Sequence, residues 1–161
     1  MVHALQIACL LLVAVAMGLA LAHALEMPGK MRLDREPYFA VQEIYYPGFT
    51  IGGAAEPLGI VALPALLVQQ VQAGGRPWWV AAALLALIGM QAVYWLVTHP
   101  VNSVWTKGLQ LDDLAARFFS TQDSNAGDDW QHHRYLWEYS HVARAVLGGL
   151  GLVFLAIAAV G

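Results

Sequence analysis

The chain has 161 residues, of which 59% are hydrophobic and only 12% are charged. A water-soluble domain usually carries about 25% charged residues, so this composition argues against a soluble globule and against a disordered chain. With 8 basic residues, 11 acidic residues and a net charge of -3, nucleic-acid binding is also disfavoured. The single cysteine, Cys9, excludes a disulfide framework or a cysteine-based metal site within one chain.

Four hydrophobic runs are each long enough to cross a bilayer, which takes about 20 residues of helix. They predict an all-α membrane protein with one domain over residues 1–161, a four-transmembrane-helix up-down bundle. The turn at residues 73–77 is rich in glycine and proline, so spans two and three are expected to be antiparallel neighbours. The four predicted spans are residues 4–24, 49–71, 78–98 and 140–160.

The first span also has a feature of a secretory signal sequence. The small residues of Ala22-His23-Ala24 are typical of a signal-peptidase site. No lysine or arginine precedes the hydrophobic run, however, as a signal sequence requires. We therefore expect this segment to remain in the protein as a membrane helix.

Both long connections, which follow spans one and three, fall on the same side of the membrane. Seven of the eight basic residues lie on this side, and only Arg76 lies on the other. The positive-inside tendency therefore predicts that the long loops are cytoplasmic and that both termini lie on the opposite side. In the second connection, Leu111, Leu114 and Phe118 recur at helical spacing and predict a short interfacial helix.

Five of the six histidines lie at or beside helix ends on this same side, which we call the histidine-rich face. A neutral imidazole at the membrane boundary can bind a metal, transfer protons or hydrogen-bond to lipid headgroups. The sequence does not identify a cofactor. A transition metal such as iron or copper, and a haem bound by two of these histidines, are both compatible with it. The five residues are His23, His99, His132, His133 and His141.

His23 and Glu26 are three residues apart, so they project from neighbouring positions on a continuing helix. Such a pair could share a metal ion or form a structural hydrogen bond, and both alternatives stay open. The Glu-x-x-His pairs of di-iron bundles have the opposite order and occur twice, so a ferritin-like site is not expected. The residues predicted as metal ligands are His23, Glu26, His99, His133 and His141.

Four residues at the start of span four share one helix face, because their spacings are four, four and three: His133, Trp137, His141 and Arg144. Arg144 lies inside a hydrophobic span, where a guanidinium needs an acidic partner or an anionic ligand. An ion pair that holds two helices together and a ligand-binding role are the alternatives. The candidate acidic partners are Glu26, Glu56 and Glu138.

Spans two and three also contain polar positions. Glu56 lies inside span two, where a carboxyl group is expected to be paired, to relay protons or to bind a metal. Pro100 lacks a backbone N–H and is expected to kink or end span three at His99. The segment from Thr98 to Asn102 is therefore predicted to line a cavity, with an ordinary helix end as the alternative.

Short motifs in the second half of the chain resemble a four-helix integral membrane family that includes the fungal anthrone oxygenases. They are Thr98-His99-Pro100-Val101-Asn102, Trp105, and Trp137 with His141 and Arg144, and a weaker similarity surrounds Gly18 and His23. The resemblance implies a compact membrane bundle, linked in some members to oxygenation of polycyclic phenolic substrates. The additional His99, His132 and His133 and the acidic stretch 123–129 depart from the family pattern. The matching positions are Pro100, Asn102, Trp105, Trp137, His141 and Arg144.

Together these features predict a membrane oxidoreductase or monooxygenase that acts on a hydrophobic aromatic or quinone-like substrate from the lipid. The histidine and glutamate side chains would bind a metal or transfer protons. Asn102 and Arg144 would donate hydrogen bonds to a developing oxyanion, and the tryptophans would stack on the substrate. The assigned catalytic residues are His23, Glu26, Asn102, His141 and Arg144. The assigned substrate contacts are Tyr46, Glu56, Trp105 and Trp137.

Two other functions are compatible with the same sequence. The first is a non-catalytic accessory subunit of a larger membrane complex, which would suit a small bundle rich in tryptophan and small residues. The second is a small transporter, which would require oligomerisation because four spans make a narrow pore. The expected partners are therefore the lipid bilayer, a hydrophobic small molecule, and either further copies of the chain or a larger complex.

Overall fold

The computed structural model describes the backbone of residues 2–105 and 130–160 and the side chains of residues 3–103 and 130–160. The predicted interfacial helix at residues 111–118 and the side chain of Trp105 lie outside this part. Within it, the regular secondary structure is entirely helical, which confirms the all-α membrane fold. Four helices are long and apolar enough to cross a membrane: His3–Lys30, Gly48–Gln72, Pro77–Ser103 and Trp130–Val160.

The helices follow one another with short connections over the described ranges. Span one is a single helix and span two is built from a short and a long helix, while a further short helix lies between these spans. Span three changes its helical type partway along. The elements are α1 (Val2–Lys30), α2 (Arg35–Glu43), α3 (Gly48–Gly53), α4 (Ala55–Gln72), α5 (Pro77–Val93), a π-helix (Tyr94–Thr98), α6 (His99–Trp105) and α7 (Trp130–Val160).

The helices of spans one and four extend beyond the hydrophobic runs from which they were predicted. α1 continues past residue 24 to Lys30, and α7 begins at Trp130 rather than at residue 140. Lys30 and Glu138, in these added turns, are buried inside the bundle. The polar ends of both helices therefore belong to the packed interior at the histidine-rich face.

Pro100 does not end span three, so the expected helix end at His99 is wrong. The chain passes from α5 into the π-helix, where the N–H of His99 donates to the carbonyl of Tyr94, five residues earlier. It then continues as α6. A π-helical turn is wider than an α-helical turn, and such turns accommodate a local break in the regular hydrogen-bond pattern. The segment around Pro100 therefore remains part of a continuous span.

The four long helices pack in an up-down ring. α1 contacts α4 and α7, and α5 contacts the same two helices from the other side. This arrangement confirms that spans two and three are antiparallel neighbours. The centre of the bundle is filled by small and branched side chains, as expected where helices associate by van der Waals packing in lipid. The fully buried core residues are Cys9, Val13, Leu63, Leu66, Val80, Ala83, Leu87 and Leu155.

A second hydrophobic cluster lies at the histidine-rich face, where α2 folds back over the ends of α1 and α7. Tyr38 and Tyr45 pack there with Trp137. The guanidinium of Arg134 donates to the backbone carbonyl of Leu33, just before α2, over 2.9 Å. These contacts hold α2 against the bundle and bring Tyr38 of α2, and Tyr45 just after it, next to the polar residues of α1 and α7.

Candidate functional site

Two histidines from opposite ends of the chain meet inside the bundle. The ring centroids of His23 and His141 are 4.3 Å apart, and the two residues are only 5% and 4% exposed. His23 also contacts the rings of Tyr45 at 4.4 Å, Phe49 at 4.6 Å and Trp137 at 4.8 Å. The two imidazoles therefore lie in a chamber with aromatic walls.

The hydrogen bond of His141 determines which of its ring nitrogens carries the proton. Nδ1 of His141 lies 2.9 Å from the carbonyl oxygen of Trp137. A carbonyl can only accept a hydrogen bond, so Nδ1 carries the proton and donates it. In a neutral ring, Nε2 is then the nitrogen with the lone pair, which can accept a proton from another molecule.

His23 is oriented differently. Its Nδ1 is buried and has no hydrogen-bond partner. The nearest acid, Glu26, places Oε2 at 4.0 Å from this nitrogen, which is longer than a hydrogen bond. The structural hydrogen bond considered from the sequence is therefore not formed, and His23 offers an unused polar atom inside the chamber.

A charged network adjoins the histidines. The ammonium of Lys30 lies 3.1 Å from Oε2 of Glu138 and 3.6 Å from Oε2 of Glu26. The hydroxyl of Tyr38 donates to Glu138 over 3.0 Å, and that of Tyr45 donates to Glu26 over 2.5 Å. Burial of the Lys30 ammonium and the Glu138 carboxyl group requires that they be paired with opposite charges in this way. One ammonium thus faces two carboxyl groups.

The tyrosines of this region remain protonated hydrogen-bond donors. Burial, and then the charge of Glu138, raises the pKa of the Tyr38 hydroxyl well above its usual value. Burial, and then the hydrogen bond to Glu26, has the same effect on the pKa of Tyr45. Burial also raises the pKa of Tyr46, which is half-buried. The role of Tyr46 as a substrate contact stays a prediction.

Arg144 and Glu56 form a second polar cluster deeper in the bundle. A terminal nitrogen of Arg144 donates to Oε2 of Glu56 over 2.7 Å, and the guanidinium lies 5.2 Å from the ring centre of Tyr94. With its amide nitrogen facing Glu56, Gln91 donates to Oε1 over 2.7 Å and accepts from Trp95 over 2.9 Å. Of the three candidate partners of Arg144, Glu56 is the one bound, because Glu26 and Glu138 are paired with Lys30.

Asn102 holds Trp137 in place. The indole N–H of Trp137 donates to Oδ1 of Asn102 over 2.7 Å. Nearby, Thr98 donates to Ser140 over 2.9 Å, and the Ser140 hydroxyl donates to the carbonyl of Trp137 over 2.7 Å. The segment from Thr98 to Asn102 therefore faces α7 and positions the tryptophan that touches both histidines.

The two remaining predicted histidine ligands are His99 in α6 and His133 in α7. His99 is half-buried with its ring 4.8 Å from that of Trp95. His133 lies about 12 Å before His141 along α7, since eight residues of helix rise by 1.5 Å each. Among the side chains that the structure describes, no group of three or more histidine, cysteine, aspartate or glutamate residues could hold a metal ion. The predicted five-residue ligand set is therefore not assembled.

A groove of about 370 Å³ opens next to the charged network, between the end of α1 and the segment that contains α2. It is a shallow depression that is open to the outside of the bundle rather than an enclosed pocket. Apolar side chains form most of its wall, and three polar residues form one edge. The lining residues are Glu26, Gly29, Lys30, Leu33, Val41, Ile44 and Tyr45.

Several residues of the site had no functional assignment from the sequence. Lys30 could have been found, because His23, Glu26 and Lys30 are spaced by three and four residues and share one helix face. Tyr38 and Tyr45 gave no such signal. Their contacts arise only because the segment after α1 folds back over α7.

The fold and the site define a four-helix multi-pass membrane protein with buried histidine, aromatic and charged residues at one end of the bundle. Residues 42–154 match the family model described as anthrone oxygenase. This match covers well over half of the chain, so the chain belongs to the anthrone oxygenase family, as the sequence motifs predicted. Searches of curated proteins and of solved structures found no similar chain.

The matched residues include one half of the chamber. Tyr45, Trp137 and His141 lie within residues 42–154, whereas His23 and Glu26 precede them. The family description suggests an oxygenase-like role. His23 of α1 therefore belongs to the chamber although it precedes the matched residues in the sequence.

Proposed function

We propose that this protein is a membrane oxygenase that uses molecular oxygen to oxidise a hydrophobic polycyclic aromatic substrate of the anthrone type. The observation that carries the proposal is the meeting of His23 and His141 at 4.3 Å in a buried aromatic chamber. Membership of the anthrone oxygenase family supports the same reaction class. An apolar groove beside the chamber suits a substrate that arrives from the lipid.

The reaction requires a proton acceptor. Conversion of a ring methylene to a carbonyl by O2 breaks two C–H bonds and the O–O bond, forms one C=O bond and two O–H bonds, and releases one water molecule. Nε2 of His141 is suited to accept the first proton, because its Nδ1 is held as the donor to Trp137. His23, with its unpaired Nδ1, is positioned to pass the proton on or to take the second one.

The other assigned residues act by positioning and by charge. Trp137 contacts both imidazoles and provides an aromatic surface against which a flat ring can stack. Asn102 fixes the orientation of this indole through its hydrogen bond. Arg144, one turn after His141, supplies a fixed positive charge that Glu56 holds in place and that favours a developing oxyanion.

Oxidation of anthrone by the purified protein tests this function. In detergent under air, we expect the wild-type protein to accelerate anthraquinone formation above the uncatalysed rate, with the new oxygen atom derived from labelled O2. We expect His141→Gln to lower this rate by about 10²–10⁴-fold, because a positioned base contributes an acceleration of that size. The readouts are chromatography of the product and its isotope content.

His3→Gln is the matched control, because His3 is exposed at the opposite end of the bundle. It should keep the wild-type rate. Equal rates for His141→Gln and wild type would overturn the proposed role of His141. A wild-type protein that causes no acceleration and copurifies with a large membrane partner would instead establish the accessory-subunit function.

We also propose that the histidine-rich face is cytoplasmic, because the order of the spans in the sequence predicts seven of the eight basic residues on that side. In a Cys9→Ala background, Ala40→Cys on α2 and Ala73→Cys in the turn after α4 each introduce one exposed thiol. A membrane-impermeant thiol reagent added to intact cells should label only Ala73→Cys. Labelling of only Ala40→Cys would show the opposite orientation, and Cys9→Ala alone provides the unlabelled control.

A further inference from the structure

The histidine chamber is closed in this structure. Around His23, the ring centroids of His141, Tyr45, Phe49 and Trp137 lie at 4.3, 4.4, 4.6 and 4.8 Å. Rings at these separations touch one another, so the space between them does not hold a further aromatic ring. Both imidazoles are also shielded from the outside, at 5% and 4% exposure. A substrate can therefore reach them only after one of the covering side chains has moved.

One of these covering side chains belongs to the segment that joins α1 to α3. We call residues 31–47, which include α2, the lid segment. Tyr45 lies in this segment, and its ring meets that of His23 edge-on. A shift of the lid segment away from α1 would withdraw the Tyr45 ring and uncover one wall of the chamber.

Side chains, rather than close backbone packing, hold the lid segment in place. In the part of the chain that the structure describes, the four long helices approach one another closely, whereas the backbone of α2 comes near them at few points. Tyr38 and Tyr45 contribute apolar contact with Trp137. Three hydrogen bonds join the lid segment to α1 and α7: Tyr38 to Glu138 at 3.0 Å, Tyr45 to Glu26 at 2.5 Å, and Arg134 to the carbonyl of Leu33 at 2.9 Å.

The lid segment is also polar enough to be hydrated when it leaves the bundle. Arg35, Glu36 and Glu43 are charged and exposed residues of α2. The shallow groove described above lies between α1 and this segment, so the packing along their contact is incomplete. Segments with few buried apolar contacts open locally at a lower free-energy cost than unfolding of the whole protein.

We propose that the lid segment opens away from α1 and α7 to admit the substrate to the histidine chamber, and that the hydrogen bonds of Tyr38 and Tyr45 form its latch. Closure then excludes water from the two imidazoles during the reaction. The inference deepens the proposed oxygenase function and rests on it for the identity of the substrate. The opening itself can be measured without turnover.

A cysteine on the inner face of α2 measures this opening. Gln42 is 3% exposed and lies four residues after Tyr38, so the two residues share the face of α2 that meets the bundle. Its buried amide nitrogen makes no hydrogen bond, so Gln42→Cys is expected to leave the closed structure intact. A water-soluble thiol reagent reaches the new thiol only when α2 lifts. At low reagent concentration, the labelling rate follows the population of open molecules.

The native Cys9 provides an internal reference, because it is fully buried in the core of the bundle and reacts when the whole bundle unfolds. In detergent-purified Gln42→Cys, we expect the new thiol to react at least about tenfold faster than Cys9, since local opening costs less than unfolding. Mass spectrometry of the peptides distinguishes the two thiols. Equal rates would show that the inner face of α2 is exposed only by unfolding, which would overturn the inference.

A substitution in the core separates local opening from unfolding. Val80 is fully buried near the start of α5, at the end of the bundle opposite the lid segment. In the Gln42→Cys background, Val80→Ala should accelerate the labelling of Cys9, because the cavity destabilises the bundle. It should leave the rate of the new thiol unchanged, because this core stays packed when the lid opens. Acceleration of both thiols by the same factor would overturn the inference.

The latch is tested by Tyr38→Phe in the same background. This change removes the hydroxyl that donates to Glu138, so labelling of the new thiol should become about tenfold faster. The variant is expected to fold, because Glu138 keeps Lys30 at 3.1 Å. Tyr139→Phe is the matched control, since it removes the hydroxyl of an exposed tyrosine on α7, and it should not change the rate. An unchanged rate in Tyr38→Phe would overturn the latch.

Turnover connects the opening to the reaction. If only open molecules bind substrate, Tyr38→Phe should lower the KM for anthrone by up to about tenfold, because a larger fraction of the protein is competent. An unchanged KM would overturn the role of the lid in admitting substrate. A protein that labels as expected but does not oxidise anthrone would overturn the oxygenase function and leave the lid in place. A protein that oxidises anthrone while both thiols label equally would overturn the lid alone.

Discussion

Replacement of Arg144 by methionine is expected to destabilise the protein by about 3–5 kcal/mol, because it leaves the buried carboxylate of Glu56 without its positively charged partner. The two side chains are bonded over 2.7 Å and are only 13% and 3% exposed. No solvent reaches Glu56 to compensate for the lost charge. The free energy of unfolding in mixed detergent micelles, or the melting temperature in detergent, measures this effect.

The double variant Glu56→Leu/Arg144→Met tests whether the loss of stability comes from the unpaired charge. It removes both charges and replaces them with apolar side chains, so most of the lost stability should return. A single Arg144→Met variant as stable as wild type would show that the ion pair is not required. A double variant as unstable as the single one would show that the arginine acts through packing rather than through pairing.

The second large effect is expected at Gly148, where α7 packs directly against Met17 of α1. A Cβ at this position would lie 2.9 Å from Cβ and 3.0 Å from Cα of Met17. Because one of these atoms is backbone, the helices themselves must move. Gly148→Val should therefore cost about 1–3 kcal/mol from overpacking.

The neighbouring Gly149 provides a control with the same change in helix propensity. A Cβ at Gly149 meets nothing within 4 Å, so Gly149→Val should retain wild-type stability. Gly148→Val should also weaken anthrone oxidation, because it separates the helices that carry His23 and His141. If both valine variants unfold at the same temperature, the close approach of α1 and α7 does not limit stability.

The four spans could be predicted from the sequence because a helix in lipid must satisfy its own backbone hydrogen bonds and present a long apolar run. The polar ends of these helices were predicted less accurately than the hydrophobic spans. From the sequence, Lys30 and Glu138 lie beyond the ends of the predicted spans. In the structure, α1 and α7 continue through these residues, and their side chains pair with each other inside the bundle. Pro100 was expected to kink or end its helix, and the structure shows a π-helix before it through which the span continues.

Part of the site could also be predicted from the sequence. Alternating spans place His23 and His141 at the same end of the bundle, and the structure brings them together. Spacing alone could not show that the side chains of His99 and His133 are not grouped with His23 and His141 in the part of the chain that the structure describes. Helical offsets describe a face of one helix, but they do not say which neighbouring helix that face meets.

The sequence by itself determined the number of spans, their antiparallel order and the end of the bundle where the polar residues gather, because hydrophobicity and helical periodicity are local properties. Only the tertiary structure decided that Arg144 pairs with Glu56, that Lys30 joins two acids, and that Tyr45 folds back onto Glu26. These pairings depend on how each helix is rotated and how closely it approaches its neighbours. Such quantities are set by the packing of the whole bundle, so no single segment contains them.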